Sequence, residues 1–165
     1  VADQLSLSFP REPDSVPAAR AALAQFEGRV ATSTLYDASL CLSELVTNAI
    51  QHPAEEAGDE LHLALTLGET ALRVEVIDPG GNFKPGTPTE GDERGWGLFI
   101  VDQLSTRWGT DSGSDRTLMW FEVAREDSAA AAIEDEAAAA PAATEARGGE
   151  MANAIARLRL RPLIQ

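Results

Sequence analysis

One cysteine and one lysine show how little of certain chemistries this chain of 165 residues carries. Cys41 stands alone, so an internal disulfide framework and a cysteine-rich zinc site are both excluded, and a reducing compartment fits. Its place in an apolar-periodic stretch makes it a small buried hydrophobe rather than a nucleophile. Lys84 is the only lysine among many Arg and Ala residues, a balance that points to a GC-rich bacterial genome. Basic residues are scarce: 13 Lys and Arg face 27 Asp and Glu, for a net charge of -14. Nucleic acid and anionic membrane need a basic patch that these residues do not build, whereas backbone amides and a metal ion can hold a triphosphate even on an acidic protein. The opening Val1-Ala-Asp-Gln lacks a basic-then-apolar leader, and no apolar run approaches membrane-spanning length, so a soluble cytoplasmic protein is expected.

What the chain does have is one domain's worth of periodic segments. Leu5-Ser-Leu-Ser-Phe9 alternates as a half-buried strand that Pro10 ends. With Asp14 or Ser15 as N-cap and Pro17 in the first turn, a helix is predicted from Ala18 to Arg29, with Ala22, Leu23 and Phe26 inward. Thr34 and Asp37 resemble a capping box, placing the start of a second helix near Leu35 and its end at His52, before Pro53. Leu61 to Leu67 and Leu72 to Ile77 alternate around Gly68-Glu-Thr70, a hairpin. Asp78 to Glu93, rich in Gly, Pro and charge, reads as a lid. Gly97 to Leu104 is helical in period, and strands follow near Thr106 to Thr110 and Leu118 to Ala124. The domain is therefore drawn as 1–125, and 126–165 as a low-complexity Ala and acidic linker with a short basic-apolar tail, expected to be disordered.

Three segments carry chemistry. In Glu44-Leu-Val-Thr-Asn48-Ala-Ile-Gln-His52, a helical advance of about 100° per residue sets Glu44, Asn48 and His52 on one stripe beside the apolar side of Leu42, Leu45, Val46, Ala49 and Ile50. An amide oxygen there can ligate magnesium, and a carboxylate one turn away can take a proton from an attacking hydroxyl. Asp78 follows an apolar strand and precedes Pro79-Gly80-Gly81, where it can accept a hydrogen bond from an adenine amino group. Gly95-Trp-Gly97 opens a helix whose first-turn N–H groups lack intrahelical partners and can face phosphate oxygens. Each segment alone is also ordinary: a solvated stripe, a turn, a hinge. Their order along the chain is what joins them into a magnesium–ATP site.

Together these segments resemble the N box and two glycine boxes of the GHKL ATP-binding family of gyrase, heat-shock chaperone, histidine kinase and mismatch-repair proteins, over about Leu5 to Ala124. Glu-Leu-Val-Thr-Asn-Ala-x-x-His, Asp-Pro-Gly-Gly, Arg-Gly-x-Gly-Leu-x-Ile-Val and the terminal Thr117-Leu-Met-Trp-Phe-Glu122 are most similar to the bacterial anti-sigma-factor serine/threonine kinases. The resemblance implies an α+β fold, a two-layer α/β sandwich whose mixed, mostly antiparallel sheet carries helices on one face. It implies Glu44 as general base, Asn48 as magnesium ligand, and Asp78 against adenine in a pocket shaped by Gly80 and Gly81. Gly95 and Gly97 would frame the phosphates, with Leu98 of the same segment in the ATP site, Arg94 would approach the terminal phosphate, and Thr117 would support the adenine end. His52 closes the N box without a catalytic role, and His62 is a surface strand residue.

The implied cofactors are ATP and magnesium; the implied partners are a sigma factor and a STAS-domain antagonist bearing the Ser or Thr acceptor, with a homodimer in many relatives. The alternative is a non-catalytic ATP- or ADP-dependent regulatory binding protein of the same fold. The first glycine box, Asp-Pro-Gly-Gly-Asn82, departs from the wider family's Asp-x-Gly-x-Gly. No histidine-bearing dimerisation helices precede the first strand, so autophosphorylation on histidine is not expected.

Overall fold

The structure, a computed structural model, describes residues 3–53, 57–80 and 96–126. Strand β1 (Asp3–Pro10) leads through Arg11 to helix α1 (Ser15–Ala21), which tightens into a 3-10 turn over Ala22–Phe26. Helix α2 (Thr32–Gln51) follows, then the hairpin of β2 (Glu60–Leu67) and β3 (Ala71–Asp78), helix α3 (Trp96–Leu104), and strands β4 (Arg107–Ser112) and β5 (Thr117–Ala124). The five strands form one sheet in the order β1-β2-β3-β5-β4, and all four pairings are antiparallel, which carries the largely antiparallel character expected to every described pair.

Period-2 alternation decides which sheet face meets the helices. Leu72, Val74 and Val76 of β3 and Met119, Phe121 and Val123 of β5 are buried, and they pack with Cys41, Leu42, Leu45, Val46 and Ala49 of α2 in one core. Leu23 and Phe26, on the 3-10 turn, and Val101 and Leu104, on α3, close that core at its sides. The other face of the sheet carries charge. Glu122 accepts hydrogen bonds from Arg107 (2.6 Å) and Arg73 (3.0 Å), and the Arg73 guanidinium lies 4.2 Å from the centre of the Trp120 ring. The hydrogen bond from Arg107 and then that from Arg73 hold the Glu122 carboxyl below its ordinary range, although burial opposes them.

The first helix has Asp14 as its N-cap, one of the two expected, but its end differs from the sequence reading, as does the start of the second. The first helix begins at Ser15, and from Ala22 it is 3-10 rather than α, ending at Phe26; Gly28 beyond it takes a left-handed φ of 73° that favours glycine. The second begins at Thr32, and Thr34 does not cap it. Thr34 is buried within the first turn, where its hydroxyl donates to the Ala124 carbonyl (3.1 Å) and accepts from the Glu126 N–H (3.3 Å). The need to satisfy the end of β5 has taken the side chain that local helix chemistry assigned to a cap. Glu126 also bonds to Ala31 through its carbonyl and to Ser33 through its carboxylate, at 2.7 Å each. The stop before Pro53, the hairpin and the later helix and strands lie within a few residues of their predicted places. The lid beyond Gly80 and the tail beyond Glu126 lie outside the described residues.

Candidate functional site

Helix α2 earns its burial from Thr34, Ala38, Cys41, Leu42, Leu45, Val46 and Ala49, a stripe at helical spacing. Glu44 and Asn48 flank that stripe, half-buried and one turn apart. The Glu44 carboxylate lies against the first turn of α3: a Cβ added to Gly97 would stand 2.6 Å from Glu44 Oε2. Glycine at 97 is therefore a steric requirement of the carboxylate's position. Among the described residues no donor reaches that carboxylate, and burial pushes its pKa above the ordinary value. A half-desolvated carboxylate of this kind binds a proton more readily than a surface glutamate, the property of a general base.

A second group of predicted residues gathers where β3 meets β5. Alternation carries Asp78 onto the same face as Val74 and Val76, so it points under the helical layer and is 4% exposed. Thr117 lies opposite it in register and is also buried. The Thr117 hydroxyl donates to the Gly80 carbonyl at 3.1 Å, and Ser112 Oγ lies 3.2 Å from the same hydroxyl. Thr117 thereby ties down the backbone just after Asp78. Leu98 sits in the first half of α3, packed on the core. Gly81, Arg94 and Gly95 lie outside the described residues.

The sequence reading missed Arg11, which joins the two groups. Its guanidinium forms an ion pair with Asp78 through both carboxylate oxygens and donates to the carbonyls of Ala49 (2.6 Å) and Gly58 (2.9 Å). Ala49 adjoins Asn48 on α2, so one side chain bridges the helix and the strand end. A signal was available: a carboxylate carried by alternation onto a core-facing strand position needs a cation or several hydrogen-bond donors. His52 follows α2 at the surface, its N–H bonded to the Asn48 carbonyl (2.8 Å). His62 faces the open side of the sheet, 2.8 Å from Ser8 Oγ. A groove of about 670 Å³ lined by residues such as Arg20, Leu23, Glu27 and Tyr36 shares no residue with either group.

The donor set fits a metal shared with a ligand. Among the described residues no three His, Cys, Asp or Glu cluster as a metal cage. An amide oxygen at Asn48 beside a half-buried carboxylate is the sparse protein contribution that magnesium accepts when phosphates and water complete its shell. The missing Cβ at Gly97 is what lets the Glu44 carboxylate pack against the first turn of α3.

The chain belongs to the family of histidine kinase-like ATPase domains, whose model matches residues 9–123. Membership implies an ATP site. Among solved structures, the chain is similar to the RsbU and RsbW domains of Rv1364c from Mycobacterium tuberculosis, at a TM-score of 0.55 and 20% identity over 73% of this chain and 32% of that one. It is also similar to the histidine kinase domain from the Erythrobacter litoralis EL346 blue-light activated histidine kinase, at a TM-score of 0.43 and 21% identity over 74% of this chain and 63% of that one. The chain thus spans about a third of the first structure's length and under two thirds of the second's. At 20% identity the likeness to the first concerns the fold alone. No curated protein matches the chain. No described helix is long and apolar enough to cross a membrane.

Proposed function

We propose that the chain is an ATP-dependent serine/threonine protein kinase of the anti-sigma-factor type, which phosphorylates a STAS-domain antagonist and sequesters a sigma factor. Glu44 carries this reading. Its carboxylate is half-buried, raised in pKa and packed on the first turn of α3, one helical turn from Asn48. The family match and the likeness to a structure that contains an RsbW domain support the assignment of the class.

In this reading Asp78 accepts the adenine amino group, with Gly80 and Gly81 shaping the pocket and Thr117 holding Gly80. Gly95 and Gly97 frame the phosphates, with Leu98 of the same segment in the ATP site, Arg94 approaches the terminal phosphate, and the Asn48 amide oxygen would hold magnesium. The metal, when bound, neutralises charge on the phosphate oxygens. Glu44 accepts the proton of the acceptor's hydroxyl as that oxygen bonds to the terminal phosphorus and ADP leaves.

The test combines purified protein, magnesium–ATP and STAS-domain antagonists, and reads phosphoserine or phosphothreonine by mass spectrometry. Wild type should transfer phosphate, and Glu44→Gln should be slower by roughly a hundredfold or more. Full activity in Glu44→Gln would remove the base assignment. Nucleotide binding without transfer to any antagonist would make the chain a nucleotide-dependent binding protein instead.

A further inference from the structure

Arg11 follows the proline that ends β1, and its own N–H bonds to the Asp59 carbonyl at 2.8 Å, so its backbone is pinned to the loop before β2. The side chain turns inward, 12% exposed, onto an Asp78 side chain that is 6% exposed. Nη2 donates to Asp78 Oδ1, Nη1 donates to Asp78 Oδ2 (3.1 Å) and to the Ala49 carbonyl (2.6 Å), and Nε donates to the Gly58 carbonyl (2.9 Å). The Ala49 carbonyl has a reason to accept it. Its helical partner would be the N–H of residue 53, which is a proline and has none. A cation at a helix C-terminus also suits the helix dipole.

The planar fork of the guanidinium therefore fixes the Asp78 carboxylate in plane and in direction relative to α2. A lysine ammonium is a point charge and cannot hold both oxygens and two carbonyls at once. Buried ion pairs give little net stability over apolar packing, because desolvation offsets their attraction, so orientation is the more economical account of this one. A carboxylate offers about four acceptor positions, more than a guanidinium fork occupies, so the ion pair is compatible with a hydrogen bond from an amino group.

We infer that Arg11 is a positioning residue for base recognition, holding the Asp78 carboxylate in the orientation that accepts the 6-amino group of adenine. The inference rests on the proposed ATP site, and its test separates the two. Magnesium complexes of ATP and of purine riboside triphosphate, which lacks only the 6-amino group, are titrated into wild type, Arg11→Lys and Arg11→Ala, with thermal melts in parallel. Wild type prefers ATP. In Arg11→Lys, which keeps the charge, ATP affinity falls about ten- to hundredfold, the worth of one charge-assisted hydrogen bond, while purine riboside triphosphate affinity stays within about twofold. The ratio of the two affinities is taken within one protein, so partial unfolding of Arg11→Ala cancels from it.

A wild-type ratio retained in either variant overturns the role given to Arg11. A wild type that binds both nucleotides equally removes the adenine contact from Asp78, and one that binds neither removes the ATP site itself.

Discussion

Gly97→Ala isolates the contact on which the catalytic reading depends. The added methyl would lie 2.6 Å from Glu44 Oε2 and 3.5 Å from Glu44 Cβ and Cδ, so only the carboxylate oxygen is in conflict. Relief to 3.0 Å moves that oxygen by about 0.4 Å, and relief to ordinary contact at 3.4 Å by about 0.8 Å. A glutamate end is flexible and yields at small cost, while alanine in place of helical glycine favours folding by up to about 1 kcal/mol. The melting temperature should therefore hold or rise by roughly 2–8 °C. Catalysis should not be so forgiving: misplacement of a reacting group by about 1 Å costs about a hundredfold, so kcat should fall roughly ten- to hundredfold. Phosphoryl transfer at saturating magnesium–ATP, to a protein acceptor or to water, reads the rate, and a thermal melt reads the fold. Full kcat in a folded Gly97→Ala protein would refute the claim that glycine is there to seat the Glu44 carboxylate. The same substitution in a Glu44→Gln background should cause no further loss, since the pair acts as one unit.

Burial raises the Glu44 pKa in the folded state, so its ionised form costs stability once pH exceeds that raised value, and the cost vanishes below the ordinary value of 4.5. Glu44→Gln should thus raise the urea midpoint at pH 7 and leave it unchanged in acid below that value; equal gains at both pH values would contradict the assignment. Asn48→Ala should weaken nucleotide binding with magnesium and leave binding in EDTA nearly unaffected, and identical isothermal titrations with and without the metal would count against Asn48 as a ligand. Thr34→Val removes a buried hydroxyl that serves both the Ala124 carbonyl and the Glu126 N–H, and should cost about 1–3 kcal/mol in urea unfolding; a change under about 0.5 kcal/mol would show that this tie is dispensable. The Cys41 thiol is pushed up to about 12, first by burial and next by Asp37, so it should resist a thiol reagent at pH 8 in the folded protein and react once urea unfolds it. Rapid labelling of the folded protein would place Cys41 outside the core.

Local periodicity carried the architecture because each element obeys one rule at a time. The β2–β3 hairpin was legible from two alternating runs around Gly68, and the end of α2 from Pro53, since neither depends on a distant partner. Thr34 shows where such reading stops. Its spacing to Asp37 satisfies a capping box, but the decisive claim on its hydroxyl comes from Ala124 and Glu126, some ninety positions away along the numbering. The α1 boundary failed for a related reason: Leu23 and Phe26 reach the core on a 3-10 turn, whose tighter winding is nearly indistinguishable from α over a single turn of sequence.

The candidate site divides in the same way. Glu44 and Asn48 share a helix, so their spacing alone brings them together; Asp78 and Thr117 meet only through the β3–β5 register, which no pattern in either strand states. Arg11 carries no motif or periodic signal of its own. Asp78 alternates onto the face of Val74 and Val76, where a carboxylate must be held by a cation or by several hydrogen-bond donors. Arg73, Arg107 and Arg125 lie on or after strands, and the first two are committed to Glu122 on the opposite face. Arg11 stands at the turn out of β1, two strands away from β3 across the sheet, with a side chain long enough to reach inward beneath α2. The burial of one carboxylate thus calls for a partner, while the tertiary fold decides that Arg11 supplies it.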